Sequence, residues 1–349
     1  MAVGLLAGVL VIGGLVVGVS VMRGGKSGGA GGGSGVVRNN AVSIEAGMDA
    51  AAVYMRDKKY GEAGAILEKL AEMSPVDVGV RVAYAQALVG QQKWGEALEQ
   101  YEAAVAASNG ASGGAQPGGG GSGGGADGKV ARDPAKAQLH FEAGTAANMA
   151  GRADVAERYY KMAQMLDPAE SRYPLFLAMI QIKTGDDAAA NASLLRAVKM
   201  NPELAEAWGT MAELAVKQNR LGLASQHIEK ARQLQPEVGR WRIVEARILN
   251  REGNPEKAAT MLMSLDPSVR MQKDVLELLG QSYGFMNKPG EAAKMYEEAA
   301  KAQPTDAELH YQAALWYGRA GERAKSAEQA KTAAMLGHAD AKAMVGAEK

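Results

Sequence analysis

Five prolines fall on one lattice. Pro134, Pro168, Pro202 and Pro236 are spaced by 34 residues, and Pro304 follows two periods later. Each follows a polar residue (Asp133, Asp167, Asn201, Gln235, Gln303) that closes an apolar stretch with helical spacing. One period beyond Pro75 lies Asn109, where another such stretch ends. A fixed period of this length marks one supersecondary unit that cannot hide its apolar face alone. The chain is therefore committed to stacking unit upon unit.

Small residues recur in phase with the prolines. The unit ending at Pro168 holds Gly144, Gly151, Ala156, Tyr160 and Ala163; the one ending at Pro304 holds Gly280, Tyr283, Ala292, Tyr296 and Ala299; the one ending at Pro236 holds Trp208, Ala212, Ala224, Ile228 and Ala231. This resembles the tetratricopeptide repeat, with its W-x2-L-G-x2-Y, A-x3-F, A and P pattern, over roughly 44–109 and 135–340. The resemblance implies an all-α, right-handed α-solenoid of about eight helix hairpins. They begin near Ile44, Val78, Ala137, Ser171, Ala205, Gly239, Lys273 and Ala307. Counting places from these starts, a small residue at place 8 lets the first helix meet the second closely, and Pro is expected at the first position of the next helix. Three departures stand out: Asp266-Pro267 shortens the second helix of unit six, Pro174 takes a place that prefers Trp, and Ser326 replaces Ala in unit eight.

Glycine marks what lies outside the units. Of 44 glycines, 24 fall in 1–36 and 110–128. Residues 23–43 read as a flexible Gly-rich linker and 110–134 as a Gly/Ser-rich disordered insert, since neither can bury enough apolar surface to offset ordering. Neither contains a phosphate-loop pattern. The units on either side, 44–109 and 135–349 with a C-terminal cap, either dock across the insert or form separate modules.

Ala2 to Met22 is an uncharged run of 21 residues. As a helix it rises about 31 Å, enough to cross a hydrocarbon core of about 30 Å. Segment 1–22 is therefore expected as a transmembrane anchor in the lipid bilayer. A cleavable signal peptide would need a basic leader and a cleavage site that the run does not show. Arg23, Lys26 and Arg38 follow it, which favours a single-pass membrane protein with its solenoid in the cytoplasm; the outer side is the alternative. Gly4, Gly8, Gly14 and Gly18 carry a spacing that permits weak self-association of spanning helices.

Catalysis finds no foothold. With no Cys, thiolate metal sites and Cys nucleophiles are excluded, and 39 Lys and Arg against 39 Asp and Glu leave no basic surplus for nucleic acid. His140, His227, His310 and His338 have no ligand or nucleophile partner at useful spacing; His140 and His310 occupy place 4, where the family carries Trp, and read as packing. Met162, Met165, Met261 and Met263, with Trp208 and Trp241, also read as packing, and Glu297-Glu298 as a solvated surface. No cofactor and no metal are expected.

The resemblance implies that places 2, 5, 9 and 12 of each unit line a concave groove. Carried over, unit three offers Gln138, Phe141, Thr145 and Asn148; unit four Arg172, Leu175, Met179 and Ile182; unit six Arg240, Ile243, Arg247 and Asn250. Units three and four then look apolar and unit six basic. The clamp by which chaperone-binding members grip a terminal carboxylate is missing, since Met48, Ala52 and Ala83 stand in its place. The expected function is a membrane-tethered, non-catalytic scaffold that binds a protein or peptide client. The alternatives are a client-holding factor in envelope or cytochrome assembly, of the membrane-anchored bacterial type, and a non-catalytic subunit of a membrane enzyme or secretion complex.

Overall fold

The computed structural model describes residues 34–110 and 131–347, which form eighteen helices and no strands among the described residues. The chain separates into two compact units, Met1–Ala46 and Gly47–Lys349. The described part of the first is helical. The second is an all-helical solenoid of hairpins.

The first helices of the hairpins are α1 (Ser34–Arg56), α3 (Val78–Gly90), α5 (Pro134–Met149), α7 (Arg172–Thr184), α9 (Ala205–Lys217), α11 (Gly239–Arg251), α14 (Lys273–Phe285) and α16 (Ala307–Arg319). The second helices are α2 (Tyr60–Met73), α4 (Trp94–Gly110), α6 (Ala153–Leu166), α8 (Asp187–Met200), α10 (Leu221–Leu234), α12 (Pro255–Met263), α15 (Pro289–Ala302) and α17 (Arg323–Met335). A short α13 (Pro267–Arg270) follows α12, and α18 (Ala339–Ala347) ends the described chain.

Each hairpin turns in the same way. Place 15 has a left-handed backbone in all eight units: Gly151, Gly185, Gly253 and Gly321 at φ of 79 to 89°, and Lys58, Gln92, Asn219 and Asn287 at 54 to 62°. After that turn the second helix folds back, and place 20 meets the first helix. Ala63, Ala97, Ala156, Ala190, Ala224, Ala258 and Ala292 there are all fully buried. Ser326 takes this place in unit eight, and its hydroxyl donates to the Ala314 carbonyl at 2.8 Å, which satisfies the one polar atom that the exception introduces.

Place 24 fills the seam against place 8. In units three and seven that filler is Tyr160 and Tyr296, and the opposing residues are Gly144 and Gly280. A Cβ on Gly144 would lie 2.7 Å from the Tyr160 ring, and one on Gly280 2.6 Å from that of Tyr296. Backbone contact of this closeness explains why glycine sits inside a helix despite its propensity cost of about 1 kcal/mol.

Units two, three and four share one core. Ala85, Leu88, Leu98, Tyr101 and Ala104 are in the same buried cluster as Ala137, Phe141, Tyr160 and Ile180. Packing of α4 against α5 therefore continues the stack from Gly110 to Pro134. Arg132 supports the entry by pairing with buried Asp167 at 2.8 Å, while the Asp133 carboxylate caps α5 through the Lys136 amide at 3.0 Å.

Three expectations change. Helix α1 begins at Ser34, inside the stretch 23–43 expected as a linker; the Gly-rich composition ends at Gly35, and Val36 to Ala46 contain no helix breaker. The last residues of the expected insert 110–134 likewise form the cap and first residue of α5. The periodic prolines do not generally open helices either. Pro134 does, but Pro168, Pro202, Pro236 and Pro304 lie in the turn before the next first helix, where a residue that cannot continue the preceding helix ends it. In unit six, α12 stops at Met263 as the Asp266-Pro267 break predicts, and Asp266 caps α13. The apolar run 2–22, with Gly4, Gly8, Gly14 and Gly18, lies outside the described residues, among which no helix is long and apolar enough to cross a membrane.

Gly144→Val should lower unfolding stability in urea by about 2 kcal/mol or more, because fully buried Tyr160 has nowhere to go. Gly222→Ala, with open space around it, should not lower it.

Candidate client-binding face

The eleven candidate groove residues divide into core and surface. Phe141, Leu175, Ile243 and Asn250 are 4 to 9% exposed. Phe141 meets Phe176 edge-on at 4.9 Å and lies within 5.6 Å of the Tyr160 and Tyr173 rings. These four belong to the packing between units and are unavailable to a client, which corrects their assignment to a groove. For Phe141, Leu175 and Ile243 the reason is one of register, since place 5 faces the next first helix rather than solvent; Asn250, at place 12, turns its amide toward the Leu278 carbonyl of α14 at 3.5 Å. Gly209 shows the same at place 5 of unit five, since it has no side chain and the Trp241 ring covers it.

The remaining seven keep solvent access. Thr145 is half-buried; its hydroxyl donates to the Phe141 carbonyl at 3.0 Å and accepts from the Tyr160 hydroxyl at 3.3 Å. Asn148 accepts from Lys183 at 3.1 Å. Arg172 is exposed, pairs with Glu170 at 3.0 Å and lies over the Phe141 ring at 5.7 Å. Met179 and Ile182 are half-buried over the Leu175–Leu214 cluster. Arg240 makes a two-pronged bond to Glu213 at 3.0 and 2.9 Å. Arg247 is half-buried and has no hydrogen bond or ion pair among the described residues. Gln138, beside them, donates to Glu142 at 2.9 Å.

Sequence reasoning missed the row at place 13, the last turn of each first helix. Lys183, Lys217, Arg251 and Arg319 are exposed there, and Phe285 is 65% exposed. Their 34-residue spacing was the available signal. Each cation also sits where a helix carbonyl end favours positive charge.

Place 4 has a shared job in units two, five and eight. The side chains of Arg81, Trp208 and His310 reach back to the carbonyls of Pro75, Pro202 and Pro304 at 3.1, 2.9 and 3.2 Å. Each also touches place 23 of the second helix: Arg81 donates to Gln100, His310 bonds Gln329 at 2.7 Å, and Trp208 lies 5.7 Å from the His227 ring. Because a carbonyl only accepts, Nε2 of His310 carries a proton. His140 makes neither bond. It lies 5.6 Å from Tyr159 with Nδ1 buried and unpaired, and burial, helped by the Lys136 charge, pulls its pKa from 6.5 to about 4. Burial, with Arg220 nearby, lowers that of His227 as well. Among the described residues no group of three or more His, Cys, Asp or Glu could hold a metal ion.

The fold matches known repeats. The family model described as Tetratricopeptide repeat matches residues 48–112, and that described as Psidin, N-terminal TPR repeats region matches 214–342. No curated protein matches the chain in sequence. Among solved structures, a tetratricopeptide repeat protein from Parabacteroides merdae is 17% identical with a TM-score of 0.57, over 77% of this chain and 97% of that one. PilW, a type IV pilus biogenesis factor, is 16% identical with a TM-score of 0.53, over 68% and 98%. The APC/C hetero-tetramer Cut9–Hcn1 gives 13% identity and a TM-score of 0.57 over 85% of this chain, which spans 54% of the matched one. At these identities the likeness is one of fold. The chain is built of tetratricopeptide-type repeats.

The depressed His140 pKa makes a signed prediction. Between about 4 and 6.5 the unfolded chain binds a proton that the folded chain refuses. Its contribution is thus complete above pH 6.5 and is lost as pH falls toward 4, on the order of 3 kcal/mol. Urea unfolding across that range should show the loss, and His140→Phe should flatten it while leaving the smaller share due to His227.

Proposed function

We propose that this protein is a non-catalytic interaction scaffold that holds a peptide or protein client on the row of first helices α5, α7, α9 and α11. The supporting observation is the division within that row. Phe141, Leu175, Ile243 and Asn250 form a fixed floor, while Thr145, Asn148, Arg172, Met179, Ile182, Arg240 and Arg247 remain accessible above it. A rigid floor with half-buried apolar and hydrogen-bonding groups on top suits capture without reorganisation. Repeats of this type suggest such a role. In our reading the apolar run 2–22 tethers the scaffold to a membrane, with the solenoid on the cytoplasmic side, on the strength of the uncharged sequence and the cations after it.

Met179→Glu should abolish co-purification of the native client, whereas Leu195→Lys, a change at an exposed residue of α8, should leave it intact. Loss with Leu195→Lys and retention with Met179→Glu would contradict the placement. For the tether, a reporter active only in the cytosol, fused after Lys349, should be active; activity of an outside-only reporter would reverse the orientation.

A further inference from the structure

Helix α11 carries the sequence GRWRIVEARILNR, and three of its arginines share one stripe. At about 100° per residue, Arg240, Arg247 and Arg251 lie within about 40° of each other around the helix. Each has a different fate. Arg240 is spent on Glu213 of α9 through its two-pronged bond. Arg251 is spent on the Val216 carbonyl at 2.6 Å, where it caps the carbonyl end of α9. Arg247, between them and half-buried, has no hydrogen-bond or ion-pair partner among the described residues.

Neither neighbouring first helix compensates it. On the α9 side the Glu213 carboxylate is engaged by Arg240, and Lys217 adds a further cation that pairs with Asp187 of α8. On the α14 side, Glu277 is half-buried and burial raises its pKa, making it a weaker acid; the charges that act on it are Lys273, Asp306, Asp274 and Glu308. Lys273 takes up Glu277 and Asp306 at 3.8 and 2.6 Å. Arg247 takes no part in that network. A guanidinium has five donors in a fixed fork, and none of those of Arg247 is engaged by the described residues. The fork matches a carboxylate.

We propose that Arg247 is the anion anchor of the client face: the occupant is a peptide segment that places an Asp or Glu side chain on Arg247 and apolar side chains over Met179 and Ile182. This rests on the client-scaffold reading and adds the polarity and chemistry of the ligand. Charge complementarity selects the acidic segment, since the stripe holds three guanidinium groups against one carboxylate. Glu213 and Val216 hold the flanking arginines in place, so the stripe is already ordered before a ligand arrives.

A random dodecapeptide library, selected on the full chain at low salt, tests this. Recovered sequences should combine Asp or Glu with apolar residues. As C-terminally amidated synthetic peptides, which carry no terminal carboxylate, they should bind the wild type about tenfold more tightly than Arg247→Gln. Replacing the acidic residue by its amide should cost the same factor on the wild type and nothing on the variant. Arg242→Gln is the control: it removes a cation about 140° around the same helix from Arg247 and should leave binding unchanged. Selected peptides without an acidic residue, or with equal affinity for Arg247→Gln, would overturn the anchor; if Met179→Glu still blocked them, the client face itself would stand. Peptides insensitive to both variants, or a library that enriches no sequence, would count against both.

Discussion

Each hairpin in this chain leaves an apolar face that only the next hairpin can cover, and everything else follows from that. Within a hairpin the close approach of the two helices is made at place 8 against place 24, where Gly144 accepts the Tyr160 ring and Gly280 that of Tyr296. It is held in register by the fully buried alanines at place 20. Removing about 1 kcal/mol of helix propensity at each glycine is offset by a buried aromatic side chain, whose burial is worth roughly 2–3 kcal/mol. The same rule explains why the core runs from α4 into α5. Unit two ends with an apolar face, and unit three begins with one.

The division between floor and surface on the first helices is a second consequence. Stacking consumes place 5, so Phe141, Leu175 and Ile243 hold neighbouring units together instead of touching a ligand. What keeps solvent access in units three, four and six is a narrower set, at places 2 and 9 and, in units three and four, place 12. Polar side chains there can be held by a neighbouring unit, as Arg240 is by Glu213 and Asn148 by Lys183, or left open, as Arg247 is.

The repeat lattice was readable in the sequence because a 34-residue period survives substitution at any single place. Unit starts at Val78, Ala205, Gly239, Lys273 and Ala307 coincide with helix starts, and the break at Asp266-Pro267 appears where expected. The prolines misled on one point: their ring stops the preceding helix, and the turn that follows separates most of them from the next. The face was only partly readable. Helical periodicity identifies a stripe, but whether Phe141 points to solvent or to Phe176 depends on the angle between two units, which no single unit encodes. The pairing of Arg240 with Glu213, 27 residues earlier, is a contact between units and was invisible for the same reason. The Pro carbonyls that hold Arg81, Trp208 and His310 required backbone positions that a residue pattern does not carry.

The central claim is that one uninterrupted stack runs through units two, three and four. A protease site placed between Gly110 and Ala131 tests it directly. After cleavage the two pieces should still migrate as one species, and the Tyr and Trp signals of both should change in a single urea transition whose midpoint rises with protein concentration. Separation of the pieces in native buffer, or two transitions with different midpoints, would contradict the account.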